Sequence, residues 1–167
     1  MLTQNRLKEL FSYNPLTGVF TRKVRTSNST KIGEVVGTLR RDGYVQAFVD
    51  NKAYLLHRLV YFYMTGGWPN VIDHINGIKK DNMWANLRSC TQQQNMFNRK
   101  MSRNNTSGVK GVRWYSQRKK WVVVVVGHKP TSFVGYFDSL EEAAIAAKRV
   151  QAEVHGVYAY GRQESLC

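Results

Sequence analysis

The chain has 167 residues, enough for one domain or two small ones, and its 43% hydrophobic share argues against a disordered chain. Lys and Arg number 25 against 11 Asp and Glu, for a net charge of +14 and a pI near 10.0. The excess is positive in residues 1–70, 71–100 and 101–167 alike, as in a protein that follows a polyanion over a long footprint. Two cysteines without a Cys-x-x-Cys pair argue against a thiolate zinc site and a disulfide framework. The opening residues show no signal-peptide apolar run, and the five-residue run 122–126 is too short to span a membrane, so a reducing cytoplasm is expected.

Residues 4–12 read as a short amphipathic helix with Leu7, Leu10 and Phe11 on one side. "NPLTG" at 14–18 is a turn. Extended runs follow at 19–23, 35–39 and 44–49, the last two parted by the turn "RRDG" at 40–43. "NK" at 51–52 makes another turn before the run 53–56. "HRLVYFYMTG" at 57–66 reads as a buried helix stopped by glycine, and His57 beside its apolar face reads as a structural residue.

The segment 71–100 carries the chemistry. Asp73 and His74 stand side by side before Asn76-Gly77, which favours a tight reversal between two extended segments. Asn86 lies in the second segment. Residues 91–100, "TQQQNMFNRK", read as a polar helix with Thr91 as N-cap and Asn95 one turn in. Strand, turn, strand and helix can fold back so that Asp73, His74 and Asn95 converge. A carboxylate and an amide oxygen suit a hard divalent cation, and a neutral histidine can take a proton from water. An Asp-His pair beside Asn-Gly is common in exposed turns, and on the dipeptide alone that is the favoured reading.

"SRNNTSG" at 102–108 is polar, lacks apolar periodicity and reads as a linker. Beyond it, 109–115, 120–126 and 131–137 read as three strands. The following helix is capped by Ser139 with Glu142, carries an apolar stripe of Leu140, Ala143, Ala144, Ala147, Val150 and Val154, and ends at Gly156. His128 and His155 lie in a turn and at a helix end. The fold class is α+β: a small N-terminal β-hairpin region with a ββα core, then a three-stranded antiparallel sheet packed on one helix. The expected division is 1–66, 67–100, a linker at 101–107, and 108–160.

"HRLVY" followed by "WPNVIDHINGIKKDNMWANLRSCTQQQN" resembles the ββα-metal core of HNH endonucleases, particularly the phage and intron-encoded homing type. Asn86 stands thirteen residues after Asp73, and Asn95 nine further on. The resemblance is close over 57–100 and looser over the N-terminal region. It implies that Asp73 and Asn95 bind one Mg²⁺ or Mn²⁺ ion, that His74 is the general base, and that Asn86 pins the loop. Asn95 stands where the family often has histidine, which leaves an oxygen-only ligand set.

Residues 107–159 are similar to the DNA-binding domain of plant ethylene-response (APETALA-type) factors, through "GVKGVRW", "KKW", "VGYFDSLEEAAIAA" and "HGVYA". The resemblance implies a sheet laid in the major groove, with Lys110, Arg113, Tyr115 and Phe133 at contact positions. Lys79, Lys80, Lys119 and Lys120 are expected phosphate contacts. Val124 and Val126 stand where that family often has charged contact residues. The resulting expectation is a homing-type DNA endonuclease, monomeric on double-stranded DNA, with no small-molecule cofactor, in the cytoplasm of a bacterial host. A non-catalytic DNA-binding regulator is the alternative, and an RNA-binding protein the third reading.

Overall fold

The computed structural model describes residues 1–127 and 132–159. The expected turn at His128, the start of the third strand at Thr131 and the C-terminal Cys167 lie outside the described residues. The α+β class holds. The chain forms two compact units, Met1–Thr91 and Gln92–Cys167, so the polar stretch at 101–107 lies inside the second.

The first unit opens with α1 (Gln4–Leu10), whose N-cap Thr3 accepts a hydrogen bond from the Arg6 backbone N–H at 3.2 Å. The helix stops two residues short of expectation. Phe11 begins β1 (Phe11–Asn14), and in extended form both Phe11 and Tyr13 point inward. β1 pairs antiparallel with β2 (Val19–Arg22), which pairs with β3 (Val35–Val36). The single run expected at 35–39 is broken at Gly37. Its φ is +133°, and a Cβ there would lie 2.7 Å from Val45 Cγ1. The chain therefore leaves one sheet and enters another, in which β4 (Thr38–Leu39), β5 (Val45–Val49) and β6 (Lys52–Leu55) lie in that order. Asp50 and Asn51, both at positive φ, make the β5–β6 turn, one residue earlier than the composition suggested.

α2 (Leu56–Thr65) packs Leu56, Leu59, Val60 and Phe62 onto Leu7, Phe11 and Phe20, and Gly66 ends it in the left-handed conformation. β7 (Val71–His74) and β8 (Leu87–Cys90) then form a two-stranded antiparallel sheet that sets Asp73 opposite Arg88 and His74 opposite Leu87.

The second unit begins with α3 (Gln92–Phe97), shorter than the expected 91–100. β9 (Val112–Tyr115), β10 (Lys120–Val125) and β11 (Ser132–Phe137) form a sheet with β10 central. α4 (Leu140–His155) is capped by Ser139, whose Oγ accepts from Glu142 N at 3.1 Å. It buries Ala143 and Ala147 against Val112, Val123 and Val125. The valine run is thereby divided by strand alternation. Val123 and Val125 meet the helix, while Val122 and Val124 belong to the other face, where Val122 is shielded beside Arg113 and Tyr136.

Gly18, in the turn after β1, has φ +73°, and a Cβ there would fall 2.6 Å from the backbone of Asn82 and Met83. Gly18→Ala is therefore expected to cost about 2 kcal/mol or more, from left-handed strain together with displacement of backbone that cannot move aside as a side chain would. Urea unfolding checks this; an unchanged midpoint would refute the close approach.

Candidate active site

Asp73 and His74 are the last two residues of β7, and both are buried. Their side chains point to opposite faces of the strand. On one side the Arg88 guanidinium donates to Asp73 Oδ2 through Nε at 2.9 Å and Nη2 at 2.6 Å. On the other, the His74 ring lies 5.0 Å from the His57 ring, edge to face at 73°, and 5.9 Å from the ring of Tyr44. Tyr44 also packs on His57 at 5.2 Å, and Lys79 Nζ sits 4.6 Å over the Tyr44 ring while donating to Asp42 O.

The loop that follows β7 is tied by one side chain. Asn86 Oδ1 accepts from Asn76 N at 2.9 Å, Asn86 Nδ2 donates to Asp81 O at 2.9 Å, and Asn86 O accepts from Ile75 N at 2.9 Å. Asn86 reaches this position through a single 3₁₀ turn, Trp84–Asn86, which leads directly into β8. The loop closes further where Asn76 Nδ2 donates to Asp81 Oδ2 at 2.6 Å.

Burial sets the protonation states. It pushes His57 down to about 3, helped by the neighbouring His74 and Arg58. It also lowers His74. The Asn82 side chain, Asp73 and Asp81 oppose that shift, and Lys79 adds to it. Both rings are therefore neutral at pH 7, and His74 holds a lone pair.

The residues expected from the sequence fall in different settings. Lys80 is exposed on the loop. Asn95 is half-buried in α3, in the second unit. Arg113, Lys119 and Phe133 are exposed, Tyr115 is half-buried, and Lys120 pairs with Asp138 at 3.0 Å. Lys110 is turned inward, its ammonium donating to Phe97 O at 2.8 Å and Arg99 O at 2.6 Å, so it holds the end of α3 rather than facing outward. Arg113, Tyr115, Lys120, Val122, Val124, Phe133 and Tyr136 share the sheet face away from α4 by register. On it the Tyr136 ring touches Tyr115, Phe133 and the Arg118 guanidinium. Asn82, Tyr44 and Arg88 were not singled out by sequence reasoning. For Arg88 the spacing pointed elsewhere, since a tight hairpin at Asn76-Gly77 would set Asp73 opposite Lys80, and it is the loop of residues 75–86 that brings Arg88 there. For Asn82 and Tyr44 the partners are too remote in sequence to be read from spacing.

A model of the HNH endonuclease family matches residues 54–97, the span from β6 to α3. Protein 3.8 of Escherichia phage T7 is 34% identical over 88 residues, covering 53% of this chain and 72% of that protein. The chain belongs to the HNH endonuclease family. No solved structure matches it. HNH nucleases act on nucleic acid and generally use a divalent metal. The carboxylate of Asp73, which Arg88 engages, is the kind of oxygen donor a hard divalent cation takes, and such a cation needs only one or two protein oxygens besides water and substrate phosphate. Among the described residues no three His, Cys, Asp or Glu side chains gather into a metal cage. No described helix is long and apolar enough to cross a membrane.

Because His57 is neutral when folded and titrates near 6.5 when unfolded, the unfolded chain binds the extra proton on acidification. The stability that depends on a neutral His57 is complete above pH 6.5 and is lost as pH falls toward 3. His57→Phe is expected to flatten the fall in melting temperature across that interval; a wild-type slope in the variant would contradict the burial assignment.

Proposed function

We propose that the protein is a homing-type DNA endonuclease that hydrolyses phosphodiester bonds with a single Mg²⁺ or Mn²⁺ ion. The observation that carries this reading is the pairing at the end of β7: a buried histidine kept neutral stands next to a buried carboxylate, on a loop tied down by Asn86. His74 takes the proton of the attacking water. Asp73 holds the cation, with Asn95 as the second ligand implied by the family. Asn86 fixes the loop and so the direction of the base. The bound cation would stabilise charge on the phosphate and the departing 3′ oxygen.

Lys80, exposed on the same loop, meets the phosphates that flank the scissile bond, and Lys79 joins it by leaving its contact with Asp42 O. DNA is also held by the open face of the second unit, where Arg113, Lys120, Tyr115, Tyr136 and Phe133 combine cations with aromatic and apolar surface. This is the binding mode that the APETALA-type resemblance implies. Lys110 takes no part in it. A monomer acting in the cytoplasm of a bacterial host, on a site read through few base contacts, completes the picture.

Purified protein incubated with phage genomic DNA and Mg²⁺ is expected to nick or cut it. EDTA should abolish cleavage, and His74→Ala should slow it by at least about a hundredfold. DNA left intact with Mg²⁺ and with Mn²⁺, but bound, would instead favour a non-catalytic DNA-binding regulator.

The sheet face has its own test. Arg113→Ala should weaken DNA binding and reduce the slope of log K against log salt by about 1, whereas Lys110→Ala should leave that slope unchanged. Equal slopes for wild type and Arg113→Ala would remove the sheet from the interface.

A further inference from the structure

A cavity of about 550 Å³ opens in the first unit, within the size range of small-molecule sites. Its walls come from α1, from β2 and the segment after it, and from the β5–β6 turn, and no residue of the 75–86 loop takes part. Three arginines reach it, Arg6, Arg22 and Arg25, against a single carboxylate, Asp50. Arg6 pairs with that carboxylate at 3.2 Å. The other two guanidiniums are held in place without being used up. Arg22 donates through Nε to Glu34 Oε1 at 2.6 Å and through Nη1 to Thr26 Oγ1 at 3.1 Å, and it lies 5.4 Å from the centre of the Phe11 ring. Arg25 donates through Nε to Ser27 O at 3.1 Å and through Nη2 to Asn28 O at 2.9 Å. Nη2 of Arg22 and Nη1 of Arg25 have no protein acceptor among the described residues. The partners of Arg25 are carbonyls, so no carboxylate offsets its charge.

The segment that carries Arg25 is closed on itself. Thr30 Oγ1 accepts from Thr26 N at 3.0 Å and from Ser27 N at 3.1 Å. Thr26 Oγ1 accepts from Arg22, so its own proton is free to be donated. A different surface comes from β5. Phe48 lines the same cavity and is 62% exposed, while its neighbours Ala47 and Val49 are buried. Val24, also exposed, adds to the apolar lining. One cavity therefore offers two kinds of contact. Guanidiniums and hydroxyls suit the oxygens of a phosphate, and a flat apolar ring suits a nucleobase. A bare anion would make no use of Phe48, and an apolar ligand would bury the Arg25 charge unpaired.

We propose that this cavity is a nucleotide-binding site, in which the uncommitted amino groups of Arg22 and Arg25 and the Thr26 hydroxyl hold the phosphate while the base stacks on Phe48. The site lies outside the β7–β8 loop, and its existence does not depend on the cleavage reading. A nucleotide within a single DNA strand and a free nucleotide present the same phosphate and the same ring, so both sources share the chemistry that the cavity recognises. The donors are held by the protein's own hydrogen bonds before any ligand arrives, which spares the cost of ordering them on binding.

The test titrates the full chain in EDTA at about 0.15 M salt, where exposed charges are screened. The probes are deoxyadenosine monophosphate, deoxyadenosine, inorganic phosphate and a single-stranded pentanucleotide of deoxyadenosine. Deoxyadenosine and inorganic phosphate should each bind at least about tenfold more weakly than the monophosphate. Phe48→Ala and Arg25→Ala should each weaken nucleotide binding by about tenfold. Both side chains are exposed, and an unchanged melting temperature establishes that each variant is folded. Should Phe48→Ala not fold, Phe48→Leu, which keeps apolar bulk and removes the ring, replaces it. If the pentanucleotide loses affinity on these substitutions, the cavity takes a unit of a DNA strand; if only the monophosphate does, it takes a free nucleotide. Inorganic phosphate bound as tightly as the monophosphate, or either substitution without effect on both nucleotide probes, would overturn the proposal. Cleavage plays no part in the readout, so failure of the endonuclease reading would leave this result intact.

Discussion

The chemistry-bearing part of the first unit hangs on the side chain of Asn86. Between β7 and β8 the chain runs through a loop that carries two lysines and meets the core through Trp84, which packs beside Tyr61. One amide ties the two limbs of the loop together. Its oxygen takes the Asn76 N–H and its nitrogen reaches the Asp81 carbonyl, so both limbs of the loop are fastened to the residue just before the return strand. A carboxylate there could accept from Asn76 but could not donate to Asp81 O. The position of His74 at the end of β7 is thus inherited from a hydrogen-bonded loop rather than from a hydrophobic wall.

The surroundings of that loop come from elsewhere in the unit. His57 arrives on the first turn of α2, Tyr44 from the residue just before β5, and the Asn82 carbonyl is met by a tyrosine of the first hairpin. Three separate elements converge on a stretch of about a dozen residues. The small core of Leu7, Phe11, Phe20, Leu59 and Val60 keeps them in register.

Local features were legible in the sequence where the cause is local. The Ser139 cap and the glycine stop after α2 follow from short-range rules, whereas the tight reversal expected at Asn76-Gly77 is in the structure only the start of a loop that runs to Asn86 before β8 begins. The failures have long-range causes. Phe11 continues the helical stripe in sequence, yet pairing with β2 draws it into a strand. The break at Gly37 comes from the approach of Val45, which no local pattern announces. In the site, the spacing from Asp73 to Asn86 could be read. The contact between His57 and His74 could not, because seventeen residues and a change from helix to strand separate them. Lys110 stands at a contact position by motif, and only the fold shows its ammonium engaged by the carbonyls that end α3.

That engagement bears on how the gene could be cut and rejoined. α3 is a turn and a half long, too short to persist in water unaided. What holds it comes from downstream: Phe97 stacks on His155 at 4.1 Å, Gln93 donates to Gly127 O, and Lys110 closes its carbonyl end. A splice placed in the polar stretch at 101–107, where the composition invites one, would strip the helix of all three supports and leave Asn95 on a frayed tail. The seam for a chimera lies earlier, between Thr91 and Gln92. A recombinant that grafts a new downstream module onto residues 1–100 would have to supply its own counterpart to His155 and Lys110.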